Sequence, residues 1–528
     1  MADLLRGPGD LRGSDRRRGR KARQAAPPPA AAVRAGLPGG RFRPLTDADE
    51  QRIHQAVLQV LERIGMGDPI PILEEKALER GCRMDEHGRL CFPRALVEDV
   101  IANAPTEIRF LGRDPKHDLE IGGRRVHTYG GGEAVNMLDI GAARYRPSTL
   151  ADVYDAARLV DRMDNIHAFS RLVVATEIAD QRVCDINTAY ASVAGTAKHV
   201  ALTFNDASHV QPTLEMLQMI AGGEKQWRER PFAHGGGCCV ISPLRYGCDN
   251  AEVCVESIRF GAPVWMVMAP QAGATAPAAL AGAVVQCVAE ALAGLLLIDM
   301  VAPGFPVIVG PWPFVSDLRT GAFSGGSGEE AVVSAAAAQM INFYGLPSSV
   351  GAGMTDAKAP DCQAGYEKAL AVALAAHAGC NNVSESAGML GSLMALSLEA
   401  MVIDNDMLGA VLRSVRGIEV NDETLSVAII EQVVRGEGHF LRTGQTLELM
   451  RSEYEYPALA DRRTPGEWEA AGSPDIRELA AERVRQILAT HYPQYIDPAV
   501  DRRIRDTFPI QLPEEYMKPG NTRWHSHD

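Results

Sequence analysis

The first part of the chain places its apolar residues at the spacing of an α-helix. From about residue 45, apolar side chains such as Ile53 and Val57 recur every three or four positions, which puts them on one helix face. Asp47 or Asp49 precedes this pattern and is the expected N-cap. Shorter helical patterns follow at residues 71–80 and 93–102. The sequence therefore predicts an N-terminal helical cap over residues 41–120.

The pattern changes after residue 126, where short apolar runs alternate with longer helical segments. This alternation is typical of βα units, in which helices connect buried parallel strands. Eight such runs can be counted, at residues 126–130, 168–174, 199–204, 231–240, 263–268, 306–310, 348–353 and 380–384. Eight parallel strands are the number that closes a TIM (β/α)8 barrel, whereas a doubly wound sheet usually has fewer. We expect an α/β fold with a TIM barrel over residues 121–395.

A glycine run at the end of the first predicted strand has a superficial likeness to the loop of a dinucleotide-binding sheet, which is the alternative fold. Gly130, Gly131 and Gly132 follow that strand directly. They lack the GxGxxG spacing, however, and no clear helix start comes after them. The barrel is therefore the preferred prediction.

Both ends of the chain differ from the central region. After residue 392 the pattern is helical to about residue 435, and again over residues 473–491, which predicts a C-terminal helical extension over residues 396–528. The first 40 residues are rich in arginine, alanine and proline and contain no leucine-rich apolar core of an export signal. We expect a disordered basic tail there.

Composition narrows the class of protein. The chain has 528 residues, 67 of them acidic against 53 Lys and Arg, and the net charge of -14 disfavours a nucleic-acid binder. Its ten cysteines lack CxxC spacing, which is typical of reduced cytosolic thiols. The most apolar segment, residues 278–309, is interrupted by Gln286, Glu290 and Asp299, so we expect no membrane-spanning helix. The prediction is a cytoplasmic protein without nucleic-acid or membrane partners.

Polar and aromatic residues near the ends of the predicted strands are the candidates for chemistry, because barrel enzymes place their active sites there. Glu133 follows the first strand, His234 lies in the fourth, Tyr246 comes after it, and Glu385 follows the eighth. His234 has no histidine neighbour at metal-ligand spacing, so a hydrogen-bonded core histidine is favoured over a ligand. We predict no metal site.

The loop after the sixth predicted strand is long, glycine-rich and aromatic. Trp312 and Phe314 offer aromatic faces that attract a fixed cation, and Arg319 can bind a carboxylate through a bidentate pair. The alternative is purely structural, with Trp312 packing at the rim and Arg319 paired with Asp317. Both interpretations stay open at this point.

The segment after the seventh predicted strand passes from an apolar run into a charged turn and then a helix. Asp361 is expected to cap that helix. Asp356 and Lys358 have no evident structural need in a turn at the barrel mouth, and they are therefore candidates for catalysis together with Glu385.

Four sequence motifs resemble those of the trimethylamine methyltransferase family. They are SDLRTGAFSGGSGE at residues 316–329, TDAKAPDCQAGYEK at 355–368, YGGGEAVNMLD at 129–139 and RPSTLADV at 146–153. The likeness covers nearly all of the chain after residue 40. It implies a TIM-barrel enzyme that passes a methyl group from an amine to the cobalt of a separate, small corrinoid protein, with no tightly bound cofactor of its own.

Members of this family that act on trimethylamine contain pyrrolysine, and this sequence contains only standard residues. The resemblance is therefore to the branch without pyrrolysine, which includes glycine betaine methyltransferases. The expected substrate is a small quaternary or tertiary methylated amine. In a quaternary amine the nitrogen is already positively charged, so the enzyme needs mainly to bind, orient and desolvate it.

The resemblance suggests a role for each candidate residue. Arg319 would bind a carboxylate, and Trp312, Phe314 or Tyr246 would face the methylated nitrogen. Asp356 or Glu385 would add electrostatic attraction. Glu133 and His234 complete the set of expected substrate contacts.

Two other classes of function remain open. One is an enzyme of the same fold with another methyl acceptor or substrate, and the other is a non-catalytic barrel that only binds a ligand. Apolar faces in the terminal extensions also leave a homo-oligomer open.

Overall fold

The computed structural model describes residues 31–521 and 523–524. Most of the predicted basic tail, residues 1–30, lies outside the described residues. The chain divides into two compact units, one formed by Val33–Ala428 and Glu455–Asp528, the other by Met1–Ala32 and Ile429–Tyr454. Every described strand belongs to the first unit.

Eight short parallel strands form the centre of the larger unit. They are β1 (Arg125–Thr128), β2 (Phe169–Ser170), β3 (Val200–Ala201), β4 (Ala233–Gly237), β5 (Val264–Met268), β6 (Val307–Pro311), β7 (Ser349–Gly351) and β8 (Asn382–Ser384). Each of them overlaps one of the eight predicted runs, and the α/β class is confirmed. The sheets are mixed, because Leu37–Pro38 pairs antiparallel with β1.

The parallel strands belong to two sheets. One contains β7, β8 and β1, and the other contains β2 to β6 in sequence order. Single parallel bridges connect Tyr129 with Ala168, between β1 and β2, and Val309 with Ser348, between β6 and β7. The two sheets meet only at these single bridges, so the described strands do not form one closed sheet, and the predicted TIM barrel is not confirmed.

Helices follow most of the strands and continue towards both ends of the chain. The described α-helices are α1 (Asp47–Gln59), α2 (Pro71–Glu79), α3 (Arg94–Asn103), α4 (Leu150–Asp161), α5 (Gln181–Gly195), α6 (Val210–Ala221), α7 (Glu224–Glu229), α8 (Cys248–Arg259), α9 (Leu280–Val301), α10 (Gly328–Phe343), α11 (Cys362–Ala378), α12 (Leu398–Arg416), α13 (Val427–Val434), α14 (Gly444–Leu449), α15 (Pro465–Ala470), α16 (Ile476–Thr490) and α17 (Pro498–Thr507). Of these, α14 and most of α13 belong to the smaller unit.

The N-terminal region differs in two respects from the predicted helical cap. Thr46, and not Asp47 or Asp49, is the N-cap of α1, and Asp49 completes the capping box from the third helical position. Two antiparallel hairpins also lie in this region, formed by Arg83–Met84 with Leu90–Cys91 and by Glu107–Phe110 with Leu119–Gly122. Runs this short carry little periodicity, which explains why the sequence pattern misses them.

The apolar segment at residues 278–309 contains one continuous helix of 22 residues, α9, although we expected its polar residues to exclude an apolar helix long enough to span a membrane. Glu290 accepts hydrogen bonds from the Ser242 hydroxyl at 2.6 Å and the Leu244 amide at 2.9 Å. Asp299 pairs with Arg80 at 2.5 Å. By length and composition α9 is long and apolar enough to cross a membrane, but 78% of its apolar window is buried inside the protein, as in a core helix.

The hairpin of Glu107–Phe110 and Leu119–Gly122 carries an aromatic stack that packs on the parallel strands. The Phe110 ring lies 4.3 Å from the His199 ring and 4.5 Å from the His234 ring. The two histidines share a hydrogen bond of 3.0 Å between His199 Nε2 and His234 Nδ1. Burial holds the pKa of both rings well below the usual value, so they are neutral.

A buried ion pair fixes the loop that follows β8. Lys368 in α11 donates to Asp404 in α12 at 2.7 Å, and the same carboxylate oxygen accepts from the Gly388 amide at 2.7 Å. Both side chains are nearly inaccessible to solvent. Because Gly388 lies three residues after Glu385, this pair holds the loop that carries Glu385.

Replacing Asp404 by Ala should destabilise the protein by about 3 to 5 kcal/mol, because it leaves the Lys368 ammonium buried without its counter-charge. The measurement is the free energy of unfolding in urea, compared with that of Lys225→Ala. Lys225 forms an exposed ion pair with Glu229, whose loss should cost about 0 to 1 kcal/mol. Equal losses in the two variants would contradict the structural role of the buried pair.

Candidate active site

A cavity of about 450 Å³ lies beyond the carboxyl ends of the parallel strands. Residues near the ends of β1 to β6 and of β8 line it, so it occupies the position at which barrel-type and other parallel α/β proteins bind ligands. Its lining residues are Gly132, Glu133, Ser170, Arg171, Thr203, Phe204, Asn205, Gly237, Cys238, Asp249, Asn250, Trp265, Val267, Ala269, Trp312, Phe314, Glu385 and Leu393.

Two glutamates lie at the first and last strands of this cavity. Glu133 is partly exposed, and its carboxylate accepts hydrogen bonds from Arg171 Nη2 at 2.6 Å and from the Thr203 hydroxyl. Glu385 is only 4% exposed, and within the described part of the chain its Oε2 atom has no hydrogen-bond partner. The two carboxyl groups therefore differ strongly in their environment.

The environment of Glu385 changes its acidity. Burial, and to a smaller extent the neighbouring charge of Glu133, together raise the pKa of this carboxyl to about 8. Without a ligand, the group is therefore largely protonated at neutral pH. A cation bound beside it would favour the ionised form.

The glycine run after β1 makes room for this carboxyl group. A Cβ atom on Gly132 would lie 2.7 Å from Glu385 Oε2 and 2.2 Å from the Met389 sulfur, and one on Gly131 would lie 3.0 Å from Glu385 Oε1. Gly132 also has a φ of 131°, which side chains rarely tolerate. Gly131 and Gly132 thus permit close packing of the segment after β1 on Glu385.

Aromatic side chains form a second wall of the cavity. The Trp265 and Trp312 rings are 5.5 Å apart, and Phe314 follows at 6.3 Å from Trp312. Trp312 packs directly on Gly351 of β7, where a Cβ atom would come within 2.7 Å of the indole. Trp265 rests edge-on against His234 at 5.7 Å, and its indole N–H has no partner among the described residues.

A buried arginine connects the acidic wall of the cavity, which Glu133 and Glu385 form, with the protein interior. Arg171 follows β2 directly, and its guanidinium lies between Glu133 and the fully buried Asp185, whose Oδ1 is 3.9 Å from Nη1. Asp185 is itself held by hydrogen bonds from the Asn205 amide at 2.8 Å and from His209 at 2.7 Å. Arg171 is thus fixed at the edge of the cavity.

Four of the sequence-predicted residues meet in this cavity. They are Glu133, Trp312, Phe314 and Glu385. Their roles in binding or catalysis remain predictions, but the structure brings them together.

The structure places His234 and Tyr246 away from the cavity lining. His234 is fully buried beneath Trp265, in the histidine stack described above. Tyr246 is also buried, and its hydroxyl donates to the Ala293 carbonyl at 2.9 Å. Neither residue belongs to the lining of the cavity, and the Nε2 atom of His234 has no hydrogen-bond partner among the described residues.

Asp356, Lys358 and Arg319 lie outside the lining as well. The Asp356 carboxylate accepts hydrogen bonds from the Ser324 hydroxyl and the Gly325 amide, both at 2.9 Å, and so ties the sixth loop to the seventh. Lys358 donates to the Asp356 carbonyl and is exposed. Arg319 is 88% exposed in its side chain and forms a bidentate pair with Asp317, which is the structural alternative considered above.

Several lining residues escaped the sequence analysis. Arg171 and Trp265 lie inside apolar runs that the pattern assigns to strands, and Asp249 and Asn250 begin a helix. A charged residue within a buried run was the available signal for Arg171, since such residues are rarely buried without a partner. Among the residues described here, no three His, Cys, Asp or Glu side chains are grouped so that they could hold a metal ion.

Comparison with known proteins gives one consistent result. A family model described as trimethylamine methyltransferase (MTTB) matches residues 12–510. Trimethylamine methyltransferase MttB of Methanosarcina thermophila is 34% identical over 469 residues, which cover 87% of this chain and 96% of that protein. A glycine betaine methyltransferase of Desulfitobacterium hafniense (strain Y51) is 30% identical over 468 residues, or 88% of this chain and 96% of that protein. Among solved structures, the Methanosarcina barkeri monomethylamine methyltransferase (MtmB) aligns with a TM-score of 0.47 at 14% identity, covering 84% of this chain and 94% of that chain.

The acidity of Glu385 predicts a pH dependence of cation binding. Because the carboxyl must lose a proton to pair with a cation, the affinity for tetramethylammonium should rise with pH and level off above about 8, the pKa of Glu385. Titration calorimetry between pH 6 and 9 measures this profile. Glu385→Gln should flatten it and weaken binding about tenfold or more at the upper end.

The matched control for this experiment is Glu215→Gln, which changes an exposed glutamate on α6. It should reproduce the wild-type profile. Affinity of the wild-type protein that does not change between pH 6 and 8 would exclude Glu385 as the titrating group.

Proposed function

Because the chain belongs to the trimethylamine methyltransferase family and is a methyltransferase, we propose that it demethylates a quaternary or tertiary amine similar to glycine betaine. The acceptor in this proposal is the Co(I) of a corrinoid that a separate protein carries. The observation that supports it best is the pairing of a buried carboxyl, Glu385, with an aromatic wall in one cavity. Such a combination suits a small organic cation and few other ligands.

We also propose that β1 to β8 close into a TIM (β/α)8 barrel. Two single bridges support this closure, since Tyr129 contacts Ala168 and Val309 contacts Ser348 in parallel orientation at the two joints between the sheets. The barrel would occupy residues 121–395, with the N-terminal region at residues 41–120 and the C-terminal helices at residues 396–528 flanking it.

The proposed mechanism begins with desolvation of the substrate's ammonium head. Contacts with the faces of Trp265, Trp312 and Phe314 would each contribute about 0.5 to 2 kcal/mol to its binding. Glu385 would lose its proton on binding and provide the counter-charge. These contacts would orient one methyl group towards the open side of the cavity, away from the aromatic wall.

The methyl transfer itself breaks one carbon–nitrogen bond. The electron pair of that bond stays on nitrogen, so a quaternary ammonium leaves as a neutral tertiary amine. The electron pair for the new bond to the methyl carbon would come from the Co(I) of the partner-carried corrinoid acceptor. For a tertiary amine, the protonated Glu385 carboxyl can donate its proton to the nitrogen, which gives the same kind of leaving group.

Exposed apolar side chains in the loops after four of the parallel strands support docking of a protein partner. Val135, Ile241, Leu318 and Met394 are exposed, and they lie in the loops that follow β1, β4, β6 and β8. Apolar residues exposed together around a ligand cavity are typical of a protein interaction site. We propose that the corrinoid protein docks on these loops.

An anaerobic assay with free cob(I)alamin and a panel of trimethylammonium compounds tests the proposed activity through the change in cobalamin absorbance. Glu385→Ala should lower the rate about 100-fold or more, because the ammonium head loses its counter-charge, and Trp312→Ala should lower it about tenfold. Glu215→Ala on α6 is the matched control and should retain the wild-type rate. No transfer from any compound in the panel would favour another acceptor or a binding function.

The docking proposal has a separate test. Leu318→Asp should slow methyl transfer to the corrinoid protein about tenfold, because it places a charge in an apolar interface. Transfer to free cob(I)alamin requires no docking and reports whether the cavity is intact. Leu425→Asp changes another exposed leucine that is not in a strand loop, and an equal effect of both substitutions would contradict docking on the loops.

A further inference from the structure

Arg171 has hydrogen-bonding capacity that the described structure does not use. Its side chain is 8% exposed and lines the cavity, and Nη2 donates to Glu133 at 2.6 Å. Its Nε and Nη1 atoms are buried, and neither has a hydrogen-bond partner among the described residues. Buried guanidinium groups normally satisfy their donors, because an unmade hydrogen bond to a charged group is costly.

The position of this guanidinium is set from two sides. The Arg171 guanidinium forms ion pairs with Glu133 on one side and with Asp185 on the other. The backbone is fixed as well, because the Arg171 carbonyl accepts a hydrogen bond from the Glu133 amide at 3.2 Å. Asp185 does not satisfy Nη1 by a hydrogen bond, since their separation is 3.9 Å. The unused donors are therefore held in place before any ligand arrives.

We propose that Arg171 is the specificity-determining residue that binds the carboxylate of a zwitterionic substrate, a trimethylammonium carboxylic acid. The ammonium end of the same molecule would face Glu385 and the aromatic wall. This assignment rests on the proposed function and narrows its substrate class. The cavity would then contain hydrogen-bond donors for the anionic end of the substrate and a negative counter-charge for its cationic end.

Arg319, the carboxylate-binding candidate from the sequence, has a different environment. Its guanidinium is mostly in water and its Nε and Nη2 atoms already donate to Asp317. Binding a substrate carboxylate there would require exchanging one carboxylate for another in high dielectric, which gains little. Arg171 is already removed from water, and although it pairs with Glu133 and Asp185, these carboxylates leave its Nε and Nη1 donors unused. A substrate carboxylate that reaches those two donors gains hydrogen bonds without replacing any.

The test compares two ligands on the same protein by titration calorimetry, at one pH above the pKa of Glu385. Glycine betaine carries both charges, whereas tetramethylammonium carries only the cationic head. In Arg171→Gln the affinity for glycine betaine should fall about 10- to 100-fold, the loss expected for a charge-assisted hydrogen bond. The affinity for tetramethylammonium should change less than about threefold or increase, because a positive charge has been removed nearby.

Three further variants define the outcome. Arg171→Lys keeps the positive charge beside Glu133 but lacks the Nε and Nη1 donors. If Arg171→Gln does not fold, the comparison of the two ligands is made with Arg171→Lys. Its selectivity for glycine betaine over tetramethylammonium should fall about tenfold. Arg319→Gln represents the competing assignment, and Arg259→Gln, an exposed arginine on α8, is the matched control.

Selectivity that stays at the wild-type level in both Arg171 variants would overturn the assignment, as would a loss of selectivity in Arg319→Gln alone. Failure of the proposed function would give a different result in the same titrations. In that case neither ligand would bind to the wild-type protein, whatever residue occupies position 171.

Discussion

The candidate site depends on one costly arrangement, a carboxyl group that is removed from water without full hydrogen bonding. Burial of an unsatisfied polar atom costs about 1 to 3 kcal/mol, and evolution removes most such groups from protein interiors. Glu385 reduces that cost by keeping its proton, because a neutral carboxyl is less costly to bury than a carboxylate. Its raised pKa reflects this preference for the neutral form. In the proposed function, a cation that enters the cavity would replace the proton. The same burial would therefore make the Glu385 carboxyl neutral without a ligand and part of an ion pair with one.

The rest of the fold holds this carboxyl where water cannot relieve it. Glu385 has a φ of 59°, in the left-handed region that a glutamate rarely adopts, and such strain persists only where the surroundings fix it. Gly131 and Gly132 admit the carboxyl against β1, and Asp404 holds the Gly388 amide further along the same loop. Stability and site geometry are thus coupled, because the buried pair between α11 and α12 serves both.

The sequence indicates the strand positions and four of the residues that line the cavity, but not the contacts between distant strands. Glu133 and Glu385 are recognisable because each follows a buried apolar run, which is local information. Their meeting in one cavity requires β1 and β8 to pair across 250 residues. Arg171 is hidden because its apolar run looks like any other strand. The partners that satisfy the buried Glu290 of α9 come from another loop, so the sequence does not show how this polar residue fits into an apolar helix. The pair of Arg319 with Asp317 is local, and was foreseen as an alternative.

The composition of the cavity also explains why an organic cation would be preferred to an inorganic one. A sodium or potassium ion must give up strongly bound water, and one buried carboxyl beside indole rings replaces little of it. A trimethylammonium group spreads its charge over methyl groups, holds water weakly and gains from each aromatic face it meets. The acidic and aromatic walls would therefore select together for charge and for methylation, and neither wall would do so alone. A donor such as Arg171 adds a requirement at the other end of the ligand, so that recognition of the two ends would separate amino-acid betaines from simpler methylated amines.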